Sequence, residues 1–218
     1  MHIVWHGKSC FTITAKSLQG ADDVTFVIDP FHPESGLKLP RNLTGQLVLT
    51  THDHPSHNYR EGVSGDPFVI SGPGEYEVKG VFVYGIPSWH DTKNGAEHGR
   101  NTMYRIEVEG MSIAHVGDLG HALTDVHLDA LKDIDILCIP VGGGSTIDAA
   151  VAADVVNAIE PRLVIPMHYA LTGRAPGDVQ KFVKAIGVPA PETVDKLKIT
   201  KKDLPQDQMR VVVFSGPA

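Results

Sequence analysis

Short apolar runs separated by turn-forming residues dominate the first half of the chain. Runs rich in β-branched residues, punctuated by Gly, Pro, Asn and Asp, are typical of strands. They predict strands over residues 2–6, 10–15, 24–29, 46–50 and 67–71. Two hairpins follow, the first joining residues 75–79 and 81–86 through Gly80, the second joining residues 103–109 and 111–116 through Gly110.

Helical spacing of apolar residues enters the pattern in the second half. The near-continuous apolar run 134–141 predicts a strand buried on both faces, and further strands are expected at 163–166 and 210–214. Helices are predicted at 123–131, 146–159 and 178–186, whereas the charged segment 189–208 is expected at the surface. This order predicts an α/β (α+β) fold with two mixed sheets flanked by helices, in a single domain over residues 1–218.

Composition narrows the classes of function. The chain has 19 basic and 26 acidic side chains and a formal net charge of −7, which argues against sequence-independent binding of nucleic acid. The two cysteines, Cys10 and Cys138, lie in apolar runs and are expected to be buried free thiols. No apolar run approaches the ~20 residues of a membrane span, and the first residues do not resemble a signal peptide. We therefore expect a cytoplasmic protein without a membrane partner.

Three of the twelve histidines stand together, directly after the predicted strand 46–50. In an extended strand His52 and His54 would lie on the same face, because side chains alternate. Two imidazoles on one face can hold one divalent ion, and His57 can reach a neighbouring ion. A histidine-rich polar loop without metal is the less favoured alternative.

Three further candidate ligands follow apolar strands later in the chain. His90 comes after the strand 81–86, Asp118 after the strand 111–116, and His168 after the strand 163–166. Functional loops commonly lie at such strand ends. Each residue alone has a simpler interpretation, a surface histidine or a Gly-Asp turn, but the recurrence favours one shared metal site.

The order His52-x-His54-x-x-His57, then His90, Asp118 and His168, resembles the metallo-β-lactamase superfamily over residues 1–169. Four shorter motifs resemble a bacterial branch that includes proteins similar to ascorbate-6-phosphate lactonase. They are Gly74-Glu75-Tyr76-Glu77-Val78, Gly85-Ile86-Pro87, Gly117-Asp118-Leu119-Gly120 and Pro166-Met167-His168-Tyr169.

The resemblance implies a four-layer αββα sandwich with metal at one edge. It implies that one ion is held by His52, His54 and His90, and a second by His57 and His168, with Asp118 bridging both. It also implies a metal-dependent hydrolase in which metal-bound hydroxide attacks an ester, lactone or phosphoester bond. Zinc is the expected ion, as one or two per chain, and manganese and iron also fit imidazole with carboxylate. The expected partner is a small anionic substrate, and a homo-oligomer is compatible with the sequence.

Ser56 departs from the superfamily pattern, which has an aspartate ligand at this position. Serine is neutral and a poor ligand for zinc, so three alternatives arise. The site holds one ion or a weak second one; Asp53 or Asp91 supplies the missing ligand; or the chain binds metal for sensing or assembly with little catalysis. For Asp53 and Asp91 we prefer another role, that of fixing the tautomer of a ligand histidine.

Other polar positions near the candidate site leave alternatives open. His121, three residues past Asp118, is expected at the rim as a general acid or substrate contact, or else as a solvated loop histidine. Tyr169 either contacts a substrate oxygen or packs. The run 142–146 either holds an anion at a helix N-terminus or, as we prefer, forms a tight strand-to-helix turn.

Overall fold

The computed structural model describes residues 1–17, 22–169 and 177–217, which form fourteen strands and three α-helices. In chain order the strands are β1 (His2–Gly7), β2 (Cys10–Lys16), β3 (Asp23–Ile28), β4 (Leu47–Leu49), β5 (Phe68–Ile70), β6 (Gly74–Val78), β7 (Val81–Trp89), β8 (Arg100–Val108), β9 (Met111–His115), β10 (Ile136–Pro140), β11 (Leu163–Met167), β12 (Glu192–Val194), β13 (Leu197–Lys198) and β14 (Arg210–Phe214). The helices are α1 (Asp125–Ala130), α2 (Ala149–Ile159) and α3 (Gly177–Ile186). No helix among these described residues is long and apolar enough to cross a membrane.

The strands form two mixed sheets. The first has the order β13-β1-β2-β3-β4-β5, and the second has the order β12-β14-β11-β10-β9-β8-β7-β6. Alternation along the strands explains the packing, because Phe11 and Ile13 of β2 enter the main core whereas Cys10 joins a second apolar cluster. In the second sheet, β10 and β11 are buried along their whole length, which confirms the prediction for the run 134–141.

The two mixed sheets with helices confirm the predicted fold class. Helix α2 contacts β10, and α3 packs on α2. The second apolar cluster covers the opposite face of the first sheet, where loop side chains such as Phe31, Leu43 and Val63 pack on Val27 and Val48. In the described residues, this outer layer is therefore built from loops. Cys10 and Cys138 are buried free thiols, as predicted.

Two short strands lie in the segment 189–208, for which only surface exposure was predicted. Strand β13 pairs with β1 at one sheet edge, and β12 pairs with β14 at the edge of the other sheet. Helix α2 also begins at Ala149 rather than at residue 146. The carboxylate of Asp148 accepts hydrogen bonds from the backbone N–H groups of Ala150 and Val151, both at 3.0 Å, and so caps the helix.

The sheet topology brings distant loops to one edge of the sandwich. Strands β7 and β9 run parallel because both are antiparallel to β8, and β10 and β11 continue the direction of β9. At this edge the Thr102 N–H donates to the Thr51 carbonyl at 2.8 Å, and the Tyr104 hydroxyl donates to the Thr50 carbonyl at 2.8 Å. These bonds hold the loop after β4 against the second sheet.

Candidate metal centre

Asp118, which follows β9, lies at the centre of the histidine cluster. Its Oδ2 is 3.2 Å from Nε2 of His57, 3.4 Å from Nε2 of His90 and 3.3 Å from Nε2 of His168. Its Oδ1 accepts a hydrogen bond from the Ser9 hydroxyl at 3.0 Å. The carboxylate is buried, and three imidazole nitrogens converge on one of its oxygens.

Two overlapping groups of donors result. One consists of His52, His90 and Asp118, and the other of His57, Asp118 and His168; within each, the ligand atoms lie within 4.8 Å of one another. Asp118 belongs to both groups, which is the position of the bridging ligand that the resemblance implied. These donors come from four separate loops, those after β4, β7, β9 and β11.

Hydrogen bonds to Nδ1 of His52 and His57 fix the orientation of these two rings. Asp29 Oδ2 lies 2.9 Å from Nδ1 of His57 and accepts the Thr51 hydroxyl proton at 2.8 Å. Because that single proton is used, the Thr51 oxygen accepts from Nδ1 of His52 at 3.0 Å. His52 therefore carries its proton on Nδ1 and presents a lone pair on Nε2, and His57 keeps its Nδ1 proton when a cation replaces the proton on its Nε2. The donor set fits a divalent ion.

Burial and charge act differently on the two histidines of this motif. Burial, reinforced by His57, lowers the pKa of His52 to about 4 and so keeps its ring neutral. Burial also lowers the pKa of His57, but the carboxylates of Asp118 and Asp29 outweigh it and raise that pKa to about 10. A cation that binds at His57 therefore competes with a proton.

Asp29 contacts the centre but was not among the residues predicted from the sequence. It lies directly after β3, fully buried, with a left-handed backbone at φ 50°. Its Oδ1 also accepts the Thr51 backbone N–H at 2.8 Å. The signal that could have found it is the one used for Asp118, a polar residue just beyond an apolar strand.

His54 does not join the group that the sequence analysis predicted. It is exposed, its ring centroid is 6.0 Å from that of His52, and its Nδ1 accepts the Ser56 backbone N–H at 3.2 Å. Strand β4 ends at Leu49, and the His54 carbonyl accepts the His57 N–H at 2.8 Å in a turn. The alternation of an extended strand therefore does not apply, and Asp118 completes the first group instead.

Asp53 and Asp91 do not have the roles predicted for them. Asp53 is exposed and accepts a hydrogen bond from the Asn58 side chain at 2.6 Å. The carboxylate of Asp91 accepts four backbone N–H groups of the following loop, those of Lys93, Gly95, Glu97 and His98. Burial would raise the pKa of Asp91, but these donors lower it well below its ordinary value. Asp29 has the histidine-orienting role instead.

His121 has no ring nitrogen left for the predicted catalytic role. Its Nδ1 donates to the Ala122 carbonyl at 2.7 Å, and its Nε2 accepts the Trp89 backbone N–H at 3.1 Å. The structure thus gives His121 a positioning role beside His90, the residue after Trp89. Tyr169 packs on Trp5 with ring centroids 5.2 Å apart, and burial raises the pKa of its hydroxyl to about 12.

The turn between β1 and β2 also reaches the centre, which the sequence analysis did not predict. Besides the Ser9 hydroxyl on Asp118, the Lys8 carbonyl accepts the His168 backbone N–H at 3.1 Å. The Lys8 ammonium donates to the Ser56 hydroxyl at 3.1 Å. Ser56 therefore stands beside the centre, as the sequence suggested, but with a lysine as its partner.

The glycine run 142–146 forms the tight turn that we preferred. A Cβ at Gly142 would collide with the His168 carbonyl oxygen, so the close approach of this turn to the ligand loop requires glycine. The first turn of α2 is already capped by Asp148, which argues against the alternative of an anion site.

Comparisons with known proteins identify the family. The sequence profile described as a beta-lactamase superfamily domain matches residues 2–168. The chain belongs to the metallo-β-lactamase superfamily. A UPF0173 metal-dependent hydrolase from Thermococcus onnurineus is 30% identical over 190 residues, which cover 74% of this chain and 84% of that protein. Another from Thermoplasma acidophilum is 27% identical, with coverage of 86% and 91%.

A solved structure agrees with this assignment. A candidate Zn-dependent hydrolase of the metallo-β-lactamase superfamily from Thermotoga maritima is 31% identical and superposes with a TM-score of 0.77. The match covers 98% of this chain and 97% of that one. Together with the donor groups around Asp118, these relatives make the chain a metal-dependent hydrolase of this superfamily.

Proposed function

We propose that the chain hydrolyses an ester, lactone or phosphoester bond of a small anionic molecule in the cytoplasm, with zinc as the preferred ion. The observation that carries the proposal is the convergence of three imidazole Nε2 atoms on Asp118 Oδ2. Imidazole with carboxylate, and no thiolate, is the ligand set of a catalytic zinc site rather than a structural one. Manganese and iron are accepted by the same donors.

The residues that would hold the metal form two groups. His52, His90 and Asp118 suit one ion, and His57, His168 and Asp118 suit another. A bound divalent ion lowers the pKa of a coordinated water from 15.7 to about 7 and polarises the substrate oxygen. Around it, Asp29 and Thr51 fix the two ring tautomers. The Ser9 hydroxyl engages Asp118 Oδ1 and leaves Oδ2 facing the histidines.

The charge of the site favours an anionic substrate. Asp118 is the one carboxylate in the two donor groups among the described residues, and the other donors are histidines. Two divalent ions bring four positive charges, of which Asp118 and the neighbouring carboxylate of Asp29 offset two, so a fully loaded site has a surplus of positive charge. We therefore expect substrates with a carboxylate or phosphate group.

Metal content and turnover test the proposal together. Elemental analysis of the purified chain should give at least one ion of zinc, iron or manganese per chain. The loaded enzyme is then assayed on a lactone, a carboxylic ester and a phosphoester, each as an anionic and a neutral version. Turnover that the Asp118→Asn variant lacks supports the proposal. Absence of bound metal, or turnover indifferent to substrate charge, contradicts it.

A metal-binding role with weak or no catalysis is the second candidate. It is favoured by Ser56, which stands where the superfamily pattern has an aspartate ligand. The Ser56 hydroxyl is neutral and accepts a hydrogen bond from the Lys8 ammonium. The Ser56→Asp variant separates the two candidates. If this change creates turnover where the native chain has none, the native chain is a binding protein. If the native chain already turns over, the hydrolase proposal stands.

A further inference from the structure

The Lys8 side chain lies at the edge of the metal centre, where the described residues give it a neutral partner. It is half-buried in the turn between β1 and β2, and its Nζ is 3.1 Å from the Ser56 hydroxyl oxygen. The backbone fixes its place, because the Lys8 carbonyl accepts the His168 N–H at 3.1 Å. Both ends of Lys8 thus contact residues of the loops that surround the centre.

Lys8 is the one half-buried lysine among the described residues, where the other lysines are exposed. Within the described part of the chain, no Asp or Glu oxygen lies within 4.0 Å of Lys8 Nζ, whereas several other lysines form such ion pairs. A half-buried ammonium next to a neutral hydroxyl keeps most of its charge uncompensated. An anion bound beside Ser56 would compensate it.

The hydrogen-bonding capacity of the two groups fits an oxyanion. The ammonium has three N–H donors, of which one is directed at Ser56. The Ser56 oxygen accepts that bond, so its own proton is available for donation. An N–H of Lys8 and the O–H of Ser56 can therefore donate to two oxygens of one carboxylate or phosphate group.

We propose that Lys8 and Ser56 form an anion-binding subsite that holds the carboxylate or phosphate group of the substrate beside the metal centre. The inference deepens the proposed function and rests on it. It assigns Lys8 to substrate binding, so that removal of its charge weakens anion binding without removing the metal.

Binding of simple anions tests the subsite. Inorganic phosphate and acetate are titrated by calorimetry into the native chain and the Lys8→Met variant, each both metal-loaded and chelator-treated. Lys8→Met removes the ammonium but keeps most of the length of the side chain and the backbone bond to His168. Lys8→Arg keeps the charge, and Lys132→Met removes an exposed lysine that is already paired with Asp129. Metal content and circular dichroism are recorded for every variant.

We expect Lys8→Met to bind phosphate or acetate about tenfold more weakly at unchanged metal content. Lys8→Arg should stay within about threefold of the native chain, and Lys132→Met should equal it. The larger effect, on phosphate or on acetate, identifies which anion the subsite prefers. Equal affinities of the native chain and Lys8→Met for both anions, loaded and unloaded, overturn the role of Lys8. Failure of the native chain to take up metal overturns the proposed function instead, and the comparison in the unloaded chain still decides the role of Lys8.

Discussion

The carboxylate of Asp29 lies 2.9 Å from Nδ1 of His57, while Nε2 of the same ring faces Asp118 at 3.2 Å. Asp29 thereby fixes which ring nitrogen is free to bind a cation. We predict that Asp29→Asn, which keeps the shape but removes the charge, lowers metal affinity roughly 10–100-fold. Titration of metal-free protein with zinc against a competing chelator measures the change.

Asp135→Asn is the matched control for that variant. Asp135 is a buried aspartate with its own cation, the Lys201 ammonium at 2.7 Å, and it belongs to neither donor group. Loss of the Asp135 charge should lower the free energy of unfolding, while metal affinity stays within about twofold of the native chain. A similar loss of affinity in both variants would mean that Asp29 acts only through general stability.

Asp118 is shared by both donor groups, so its removal should affect metal content most. We predict that Asp118→Ala retains less metal than either His52→Ala or His168→Ala, each of which removes a donor from one group. Elemental analysis after dialysis against a weak chelator gives the order. Equal metal loss in all three variants would contradict the shared position of Asp118.

His54 lies outside both groups, and its variant should reflect this. Its ring is exposed, and Nδ1 is engaged by the Ser56 N–H in the turn. We predict that His54→Ala keeps metal affinity within about threefold of the native chain, whereas His52→Ala loses it at least tenfold. The same chelator competition measures both. A large loss in His54→Ala would restore His54 as a ligand.

The candidate ligands that the structure brings together share a local signature in the sequence. His90, Asp118 and His168 directly follow or lie just beyond strands that were recognisable from their own apolar runs. The carboxyl ends of such strands meet at one edge of the sandwich, so residues that follow these strands in the sequence lie close together in the structure. The fold class was predictable for the same reason, because fully buried strands such as β10 appear in the sequence as continuous apolar runs.

The residues that were missed depend on contacts far apart in the chain. Asp29 orients His57 from 28 positions away, and Ser9 bonds Asp118 from 109 positions away. Ser9 stands in no pattern that distinguishes it from an ordinary turn residue, and Asp29 is marked in the sequence only as a polar residue after an apolar strand. His54 lies outside both donor groups because β4 ends at Leu49, so the alternation of an extended strand does not reach this residue.

Removal of metal should destabilise the native chain. A ligand at 100 times its dissociation constant stabilises the folded state by about 2.7 kcal/mol, which for a domain of this size corresponds to a shift of roughly 5–10 °C in Tm. We therefore predict a fall of this order when the zinc-loaded chain is treated with chelator. Differential scanning calorimetry measures it. The Asp118→Ala variant is the control, and a shift of equal size there would assign the effect to the chelator.

Gly142, which follows β10, lies directly against the loop after β11 that carries His168. A Cβ at this position would meet the His168 carbonyl oxygen and the Tyr169 backbone. We predict that Gly142→Ala costs about 1–3 kcal/mol of unfolding free energy, as overpacking does, and also weakens metal binding by displacing His168. Gly177→Ala is the matched control, since its Cβ would enter open space at the start of α3. Urea denaturation and zinc titration of both variants make the comparison. Equal stability and equal affinity in the two variants would show that the turn and the ligand loop adjust independently.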